Sequence, residues 1–543
     1  MKLIHEVDAD KLRGGYYTAA PLVDWCLNRV VRLTKPAVPS RWLEPSAGDG
    51  AFMRGLERLR SSCSSLQDAH VDAIELVDTE AAKCRCALRA SGLCGKVVND
   101  SFFEWARHQQ PCFDALVGNP PYVRYQFVDA EDRLLAEELM QRLGVELRGV
   151  SNLWISFALI SMSLLRPGGA FALVLPTELF CTVSGGQFRS TVVRDFASLR
   201  VDMFPRNTFP NILQDVVVVS GVRAKREVSK RPVMFCEHRR SGNVEWKHAV
   251  QASPESWQRY LLTAEEVNAF NEACRLQGMH RLGSIARIEV SIVTGANPFF
   301  TVDDSTLAEF GLEPWARPLL ARTSDAPGIV FKRSDHTQAR RRGSRAWILD
   351  FSADRPKPNG QGRVREYLAR GEDDGLNERY KCRIRSPWYR VPQIKSGRLM
   401  MTKRAHQYHR LLLNQAGVFT TDTVYRGEML SMFAHREKDL VSGFQNTLTL
   451  LSSEIEGRTY GGGVLELVPS EIARLSVPLV STAPLLGKLD TLSRSRDGQR
   501  DGTEAVVSTT DAALCEQVEG YSDLLPVLCR ARARLINRRM DAH

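Results

Sequence analysis

Hydrophobic residues in the N-terminal part of the chain form short runs, separated by stretches with the spacing of an amphipathic helix. Six of these runs predict β-strands, at residues 41–43, 71–77, 96–102, 113–118, 168–176 and 216–219. Helical spacing of apolar residues occurs between or before several of them, at residues 21–33, 134–143 and 152–165. Strands that alternate with helices in this way predict an α/β fold with a largely parallel sheet.

The run at 113–118 leads directly into Asn119-Pro120-Pro121-Tyr122. We expect this loop to lie at the carboxyl end of a buried strand, which is the edge where open α/β sheets bind ligands. The Asn119 carboxamide oxygen and the Pro120 carbonyl can accept hydrogen bonds from a planar amine, and the Tyr122 ring can stack on the flat system that carries it. This combination suits methylation of an exocyclic or amide nitrogen.

Acidic residues follow three of the other predicted strands, at Glu44, Glu75 and Asp100. A carboxylate at such a strand end can accept hydrogen bonds from ribose hydroxyls or from an adenine amino group. Three acids at one edge would repel a dinucleotide phosphate but would attract a cation. S-adenosylmethionine fits, because its sulfonium and ammonium groups are positive and it carries no phosphate.

Together with Gly15-Tyr16-Tyr17-Thr18 and the segment from Leu43 to Phe52, these motifs resemble the γ-class (TaqI-like) DNA adenine-N6 methyltransferases of type II restriction-modification systems. The resemblance implies a Rossmann-like class I methyltransferase domain with a mixed seven-stranded sheet, followed by a mixed α/β target-recognition domain. It also implies methyl transfer from S-adenosylmethionine to N6 of a flipped-out adenine in a short duplex sequence, which would protect host DNA from a partner restriction endonuclease.

The resemblance also assigns roles to individual residues. It implies catalysis by Asn119, Pro120 and Tyr122, and stacking of the flipped base between Tyr122 and Phe209. The cofactor-binding residues that it implies run from the methionine end to the adenine end: Thr18, Glu44, Ser46, Ala47, Glu75, Leu76, Asp100 and Phe102. Ala19 stands where the family often has proline.

The formal net charge of +10 is concentrated in one stretch. Residues 321–410 contain 22 Lys or Arg and 9 Asp or Glu, an excess of +13 (22 − 9), so the rest of the chain is slightly acidic. Localised basicity of this kind favours a surface that neutralises phosphates. The polar stretch at residues 222–230 has the composition of a linker and marks a domain boundary. Together with the resemblance, it predicts a methyltransferase domain over residues 1–230, a DNA target-recognition domain over 231–480, and a flexible link with C-terminal helices over 481–543.

The cysteines and the apolar runs indicate in which cellular compartment the protein works. None of the 12 cysteines forms a Cys-x-x-Cys pair, which indicates reduced thiols, and we expect no metal. No apolar run reaches the roughly 18 residues of a membrane span. We expect a monomeric, cytoplasmic bacterial enzyme, associated with the nucleoid, that acts on double-stranded DNA, alongside a cognate endonuclease and without a fused nuclease domain.

Other readings of the same motif stay open. Asn-Pro-Pro-Tyr also serves enzymes that methylate guanine N2 in RNA or glutamine N5 in proteins, and a catalytically dead DNA-binding module would carry the same basic stretch. Pro111-Cys112 resembles the nucleophile motif of cytosine-C5 methyltransferases, but it precedes the strand and so falls at its opposite end. The sequence does not give the DNA recognition site or the base-contacting residues.

Overall fold

The computed structural model describes residues 18–34, 40–62, 66, 68–145, 152–205, 216–239, 242–352, 354–358, 362–392, 394–460, 463–497 and 500–540. These residues divide after Ala264 into two compact units. No helix in the described part of the chain is both long and apolar enough to span a bilayer.

The first unit alternates strands and helices. Its strands are β1 (Arg41–Glu44), β2 (His70–Ile74), β3 (Cys94–Val98), β4 (Phe113–Gly118), β5 (Leu165–Pro176), β6 (Phe196–Met203), β7 (Val216–Arg223), β8 (Lys230–Glu237) and β9 (Val244–Gln251). Its helices are α1 (Ala20–Thr34), α2 (Ala51–Ser62), α3 (Asp78–Ser91), α4 (Phe102–Arg107), α5 (Ala130–Arg142), α6 (Trp154–Ser163) and α7 (Gly185–Asp195). Each of the six predicted strands overlaps an observed strand.

All nine strands belong to one sheet, in the order β3-β2-β1-β4-β5-β7-β6-β8-β9. The first five are parallel to one another, and β7 runs antiparallel to both β5 and β6. The expected Rossmann-like mixed α/β sheet is thereby confirmed. The predicted number of seven strands is too small, because β8 pairs in parallel with β6 and β9 pairs antiparallel with β8.

The two extra strands also move the boundary that we predicted at residue 230. The polar stretch at 222–230, which has the composition of a linker, connects β7 to β8, and both strands belong to the same sheet. In β9, buried and exposed side chains alternate, as in a strand with one face on the core. The first unit therefore continues to Ala264.

Helices cover both faces of this sheet, because alternate residues of a strand point to opposite faces. On one face, Trp42, Ala115 and Val117 lie in a core cluster with residues of α1, α2 and α3. On the other face, Leu43, Leu116 and Leu173, which alternate with residues of this cluster along their strands, are also fully buried. Because helices cover both faces of the sheet, polar side chains can come together only at the ends of its strands.

The second unit is a mixed α/β assembly, as expected. Its larger sheets have the orders β11-β20-β16-β18-β14 and β12-β15-β13-β19. The strands are β10 (Met279–Arg281), β11 (Ala286–Glu289), β12 (Thr301–Val302), β13 (Ala316–Leu320), β14 (Val330–Phe331), β15 (Trp347–Leu349), β16 (Leu399–Thr402), β17 (Arg404–Ala405), β18 (Leu411–Asn414), β19 (Phe419–Thr420), β20 (Val424–Met429), β21 (Arg458–Tyr460), β22 (Val464–Glu466), β23 (Ser476–Pro478), β24 (Arg496–Asp497) and β25 (Arg500–Asp501).

Its helices end with a long C-terminal pair. They are α8 (Ala264–Ala273), α9 (Asn297–Phe300), α10 (Asp304–Phe310), α11 (Arg333–Arg341), α12 (Arg363–Asp373), α13 (Tyr380–Arg383), α14 (Glu437–Phe444), α15 (Thr447–Glu456), α16 (Pro469–Ile472), α17 (Leu486–Arg494), α18 (Gly502–Gln517) and α19 (Tyr521–Met540). Residues 486–494 form a helix where we predicted a flexible link. Leu489 and Asp490 of this helix are buried, and the Asp490 carboxylate accepts hydrogen bonds from the Val330 backbone (3.0 Å) and Lys332 (2.7 Å).

Candidate active site

The loops that follow β1 and β4 meet at the carboxyl edge of the first unit's sheet. The Ser46 hydroxyl donates a hydrogen bond to the backbone carbonyl of Asn119 (3.1 Å). Ala47, the next residue, donates its backbone N–H to the carbonyl of Ile74 at the end of β2 (2.9 Å). These bonds join the predicted cofactor loop both to the predicted catalytic loop and to the neighbouring strand end.

Two hydroxyl groups hold the Asn119 carboxamide in one orientation. Its Nδ2 donates to the Thr18 hydroxyl (3.2 Å), and its Oδ1 accepts from the Tyr122 hydroxyl (2.6 Å), which also lies 3.0 Å from the Val174 carbonyl oxygen. Burial raises the pKa of Tyr122 well above its ordinary value, so the phenol keeps its proton and stays a donor. Because an amide oxygen can accept two hydrogen bonds, Oδ1 has one acceptor position left.

The two prolines add a second acceptor beside this one. Neither has an N–H group to donate, so the loop cannot pair as a strand. Among the described residues, none donates a hydrogen bond to the Pro120 carbonyl oxygen. The loop therefore offers the side-chain oxygen of Asn119 and the main-chain oxygen of Pro120 as neighbouring acceptors.

Glu44 and Glu75 place two carboxyl groups at the ends of β1 and β2. Glu44 is only 1% exposed, and its Oε2 has no hydrogen-bond partner among the described residues. Burial, followed by the nearby charges of Glu75 and Asp49, holds the pKa of Glu44 well above its ordinary value. Glu75 accepts backbone N–H groups at both oxygens, from Gly48 (2.8 Å), whose φ is +52°, and from Val77 (2.9 Å). A cation or a hydrogen-bond donor of a ligand could therefore bind at Glu44 Oε2.

The predicted adenine end of the site lies at the same sheet edge but is more open. Leu76 and Asp100 are exposed. Phe102 is buried, and its ring stacks on Phe157 with 4.4 Å between centroids, so its side chain belongs to the core beneath this end. Phe209, like Gly15, Tyr16 and Tyr17, lies outside the described residues.

Asn99 is a residue of this end that the sequence analysis missed. Its side-chain amide donates to the carbonyls of Glu75 (3.0 Å) and Leu76 (3.1 Å), which fastens the end of β3 to the end of β2. Its place directly before Asp100, at a strand end, was the available signal. The structure thus gathers Thr18, Glu44, Ser46, Ala47, Glu75, Asn119, Pro120 and Tyr122 into one set of adjoining loops, with Leu76 and Asp100 at the outer end.

Comparison with known proteins places the chain. Residues 88–207 match the family model of the Eco57I restriction-modification methylase, and residues 254–514 match the C-terminal domain of the type II methyltransferase M.Eco57I. The chain is a methyltransferase of the restriction-modification type, similar in these two segments to M.Eco57I. It is 21% identical to the type II methyltransferase M.AccI of Acinetobacter calcoaceticus over 79% of each chain. It is also 20% identical to M.XamI of Xanthomonas campestris pv. amaranthicola, over 86% of this chain and 85% of the relative.

The solved structure of one restriction-modification enzyme supports the fold of this methyltransferase. The type IIL restriction-modification enzyme MmeI, solved in complex with DNA, aligns with a TM-score of 0.52 at 12% identity, over 98% of this chain and 76% of that chain. The type IIG restriction endonuclease BpuSI aligns with 99% of this chain, which spans 66% of BpuSI, at a TM-score of 0.42.

The predicted catalytic loop has a structural support that no short sequence motif indicates. The backbone N–H of Leu153 donates to the carbonyl of Val123, the residue after Tyr122 (2.8 Å). The indole N–H of Trp154 then donates to Glu178 in the loop after β5 (2.5 Å). Burial raises the pKa of Glu178. These contacts link the start of α6 to both the catalytic loop and the loop after β5.

Arg189 of α7 holds the loop after β5 from its other side. Its guanidinium is buried and donates to four backbone carbonyls: Leu179 (2.6 Å), Thr182 (3.1 Å), Pro254 (2.5 Å) and Glu255 (2.7 Å). Burial lowers its pKa to about 10, which leaves it charged at neutral pH. This arginine is a structural cation, because its donors are used on main-chain carbonyls.

One group of side chains in the described residues has ligand atoms close enough together to hold a metal ion: Asp202, Cys236 and His238. Asp202 already accepts hydrogen bonds from Arg200 (2.9 Å) and interacts with His238 (2.9 Å). Phe204 stacks on the His238 ring with 4.6 Å between centroids. Since these contacts satisfy the carboxylate without an ion, we assign no metal here, and the absence of a metal stays an expectation.

Proposed function

We propose that this enzyme transfers a methyl group from S-adenosylmethionine to N6 of an adenine that has been rotated out of a DNA duplex. The observation that carries the proposal is the oriented carboxamide of Asn119, which has one acceptor position left next to the carbonyl of Pro120. The first unit would then be the methyltransferase domain, and the second unit the target-recognition domain.

The strand-end acids fit the proposed cofactor. S-adenosylmethionine supplies an electrophilic methyl group on a positively charged sulfur. The buried, unpartnered Oε2 of Glu44 suits the cationic end of such a molecule, and Glu75 suits a pair of ribose hydroxyls because its two oxygens are already fixed by backbone donors. Thr18, Ser46 and Ala47 adjoin the Asn119 loop, where the methyl group would be needed, while Leu76, Asp100 and Phe102 are proposed for the adenine end.

The chain's own contribution to the chemistry is positioning. Adenine N6 is a poor nucleophile because its lone pair is delocalised into the ring. Two acceptors, Asn119 Oδ1 and the Pro120 carbonyl, can hold the two N6 hydrogens and favour a more tetrahedral nitrogen, whose lone pair can then face the methyl group. No strong base is required before transfer, since the proton leaves after the nitrogen has become cationic.

The target base must leave the duplex for this loop to reach it, at a cost of a few kcal/mol for unstacking. Tyr122 is proposed to replace part of the lost stacking, because its hydroxyl bonds fix the plane of the ring. Phe209 is proposed as the second stacking residue. Double-stranded DNA as substrate, a cognate restriction endonuclease, a monomeric state, and a cytoplasmic, nucleoid-associated location belong to the same proposal.

Incubation with isotopically labelled S-adenosylmethionine and plasmid DNA tests the proposal. We expect label in DNA, and single-molecule sequencing should show N6-methyladenine at one short motif. Asn119→Ala should abolish the signal while leaving cofactor binding intact, because the carboxamide acts on the target nitrogen. Asn28→Ala, which removes an exposed amide on α1, is the matched control and should methylate as the wild type does.

Three outcomes would contradict the proposal. Methylation of cytosine would overturn the choice of base. Label in RNA guanine or in protein glutamine, rather than in DNA, would support the alternative substrates that the Asn-Pro-Pro-Tyr motif allows. Cofactor binding with no transfer to any of these acceptors would indicate a DNA-binding module without catalytic activity.

A further inference from the structure

The short helix α13 in the second unit exposes two large apolar side chains. Tyr380 is 65% exposed and Ile384, directly after the helix, is 63% exposed. Residues four apart in a helical turn lie on the same face, so these side chains project together. A single exposed apolar side chain is normal on a protein surface, but exposed apolar side chains that lie together mark interaction sites.

This turn is held firmly, so its exposure does not come from loose packing. Cys382 is fully buried, with its Sγ 3.9 Å from the Thr294 carbonyl oxygen. The Arg385 guanidinium donates to the carbonyls of Val293 (2.9 Å) and Thr294 (2.7 Å). Gly295 lies so close that a Cβ on it would come within 2.7 Å of Lys381 Cβ. The turn therefore rests on the segment 293–295 as a fixed projection.

The receiving segment adds to the exposed apolar surface. Val290 is 47% exposed and Val293 is 38% exposed. Among the described residues of the second unit, the large hydrophobic side chains with this degree of exposure are Val290, Val293, Tyr380, Ile384 and Met432. Val293, Tyr380 and Ile384 belong to the α13 turn or to the segment 293–295 that receives it, and Val290 lies three residues before that segment, so four of the five lie on two short stretches of chain.

Positive charge alternates with these apolar side chains. Arg379, Lys381 and Arg383 are all exposed, and the Lys381 ammonium lies 5.8 Å from the centre of the Tyr380 ring. No described acidic side chain forms an ion pair with any of the three. A partner must therefore offer several negative charges together with apolar surface, and duplex DNA does so through its phosphates and through its sugars, base edges and thymine methyl groups.

We propose that residues 379–384, together with Val290 and Val293, form a DNA-binding projection. Tyr380 and Ile384 pack against sugars and base edges in a groove, and Arg379, Lys381 and Arg383 face the flanking phosphates. This inference rests on the proposed function for its choice of DNA as the partner, but it concerns binding and does not depend on which base is methylated.

Fluorescence anisotropy with short labelled duplexes tests the projection. One duplex carries the motif found by sequencing and one has an unrelated sequence. The double variant Tyr380→Ser with Ile384→Ser should bind the first duplex about 10-fold more weakly, since contacts of an aromatic ring and an aliphatic side chain are lost. Its salt dependence should be unchanged. The triple variant Arg379→Ala, Lys381→Ala and Arg383→Ala should reduce the slope of log Kd against log salt by roughly 2 to 3.

Matched controls separate this surface from general effects. Met432→Ser removes the other exposed apolar side chain of the second unit, and Lys438→Ala removes an exposed cation on α14. Both should bind DNA as the wild type does. Tyr380→Phe should retain the affinity that the double variant loses, because the ring is kept. Thermal unfolding and cofactor binding should be the same for all variants.

The result overturns the projection if the double and triple variants bind both duplexes within twofold of the wild type. A change of oligomeric state in these variants, with DNA binding intact, would assign the surface to a protein partner and also overturn it. The proposed function is judged separately. If the wild type methylates no DNA but the variants still lose affinity for it, the projection stands and the methylation proposal fails.

Discussion

The sheet edge of the first unit and the basic surface of the second unit use charged and polar side chains in opposite ways. At the sheet edge, Asn119, Glu75 and Ser46 each have defined partners on neighbouring strand ends. In the basic stretch, some cations are bound to acids of the same unit, among them Arg340 with Asp304 and Arg398 with Glu437. Others, including Arg379 and Arg383, have no ion pair among the described residues.

This difference shows that a sequence motif predicts more about a site than the number of charged residues does. Because the residues of Asn-Pro-Pro-Tyr share one loop, the motif predicts both which residues form the site and how they are arranged. The excess of +13 over residues 321–410 predicts neither which cations bind DNA nor where they lie. A paired arginine can stabilise the fold without contributing to DNA binding, so we expect the second unit to contact fewer phosphates than it has cations.

The largest effect that we expect concerns the buried supports of the sheet edge. Arg189→Met should lower the free energy of unfolding by roughly 3 to 5 kcal/mol, because four buried carbonyls lose their donor. Denaturant unfolding measures this change. Arg194→Met, at a partly exposed arginine paired with Asp195, is the control and should cost about 1 kcal/mol or less. Equal losses in the two variants would contradict the structural role given to Arg189.

The next effect concerns the unpartnered acid. Glu44→Gln should weaken S-adenosylmethionine binding by roughly 10- to 100-fold, since a buried charge-assisted contact is lost. Calorimetric titration measures the cofactor Kd. Asp78→Asn, at an exposed acid at the start of α3, is the control. An unchanged Kd in Glu44→Gln would remove Glu44 from the cofactor site.

The same substitution has a pH signature in the cofactor-free protein. Because the pKa of Glu44 is raised above its ordinary value of 4.5, the unfolded chain loses this proton at a lower pH than the folded protein does. The free energy of unfolding therefore falls as pH rises from the ordinary value through the folded pKa. Glu44→Gln should remove that fall, so the variant should be the more stable protein at neutral pH.

A smaller effect should come from the Tyr122 hydroxyl. Tyr122→Phe keeps the ring but loses the donor that orients Asn119, so kcat should fall by about 10-fold with little change in DNA affinity. Tyr122→Ala should fall further, because the stacking ring is also lost. Single-turnover kinetics on the plasmid substrate measures both. A Tyr122→Phe enzyme as fast as the wild type would show that Thr18 alone suffices to orient the carboxamide.

The smallest effect should distinguish a paired arginine from an unpaired one. Arg398 pairs with Glu437, so Arg398→Ala should leave the salt dependence of DNA binding unchanged and should cost about 1 kcal/mol of stability or less. Arg383→Ala should leave stability unchanged and lower the salt slope by about 0.9. If both variants lower the slope equally, pairing within the unit does not remove an arginine from DNA binding.

The parts of this molecule that could be predicted are those whose determinants are contiguous. Strand β4 and its loop, or Glu75 after β2, combine an apolar run with the residue that follows it. Strands β8 and β9 were missed because the linker-like polar stretch before them lies inside the sheet. Arg189 and the pair of Trp154 and Glu178 were missed for a related reason. Trp154 and Glu178 lie 24 residues apart, and Arg189 reaches Pro254 and Glu255, which lie 65 and 66 residues away, so only packing brings these groups together.

The hydroxyl of Ser46 has one further consequence. It bridges the loop that would carry the methyl donor and the loop that would carry the acceptor. Coupling between two binding sites is reciprocal. Any factor by which S-adenosylmethionine changes the affinity for the target base would therefore be the factor by which the base changes the affinity for S-adenosylmethionine. On the proposed function, the Ser46 hydroxyl is thus the group through which such a coupling would pass from one loop to the other.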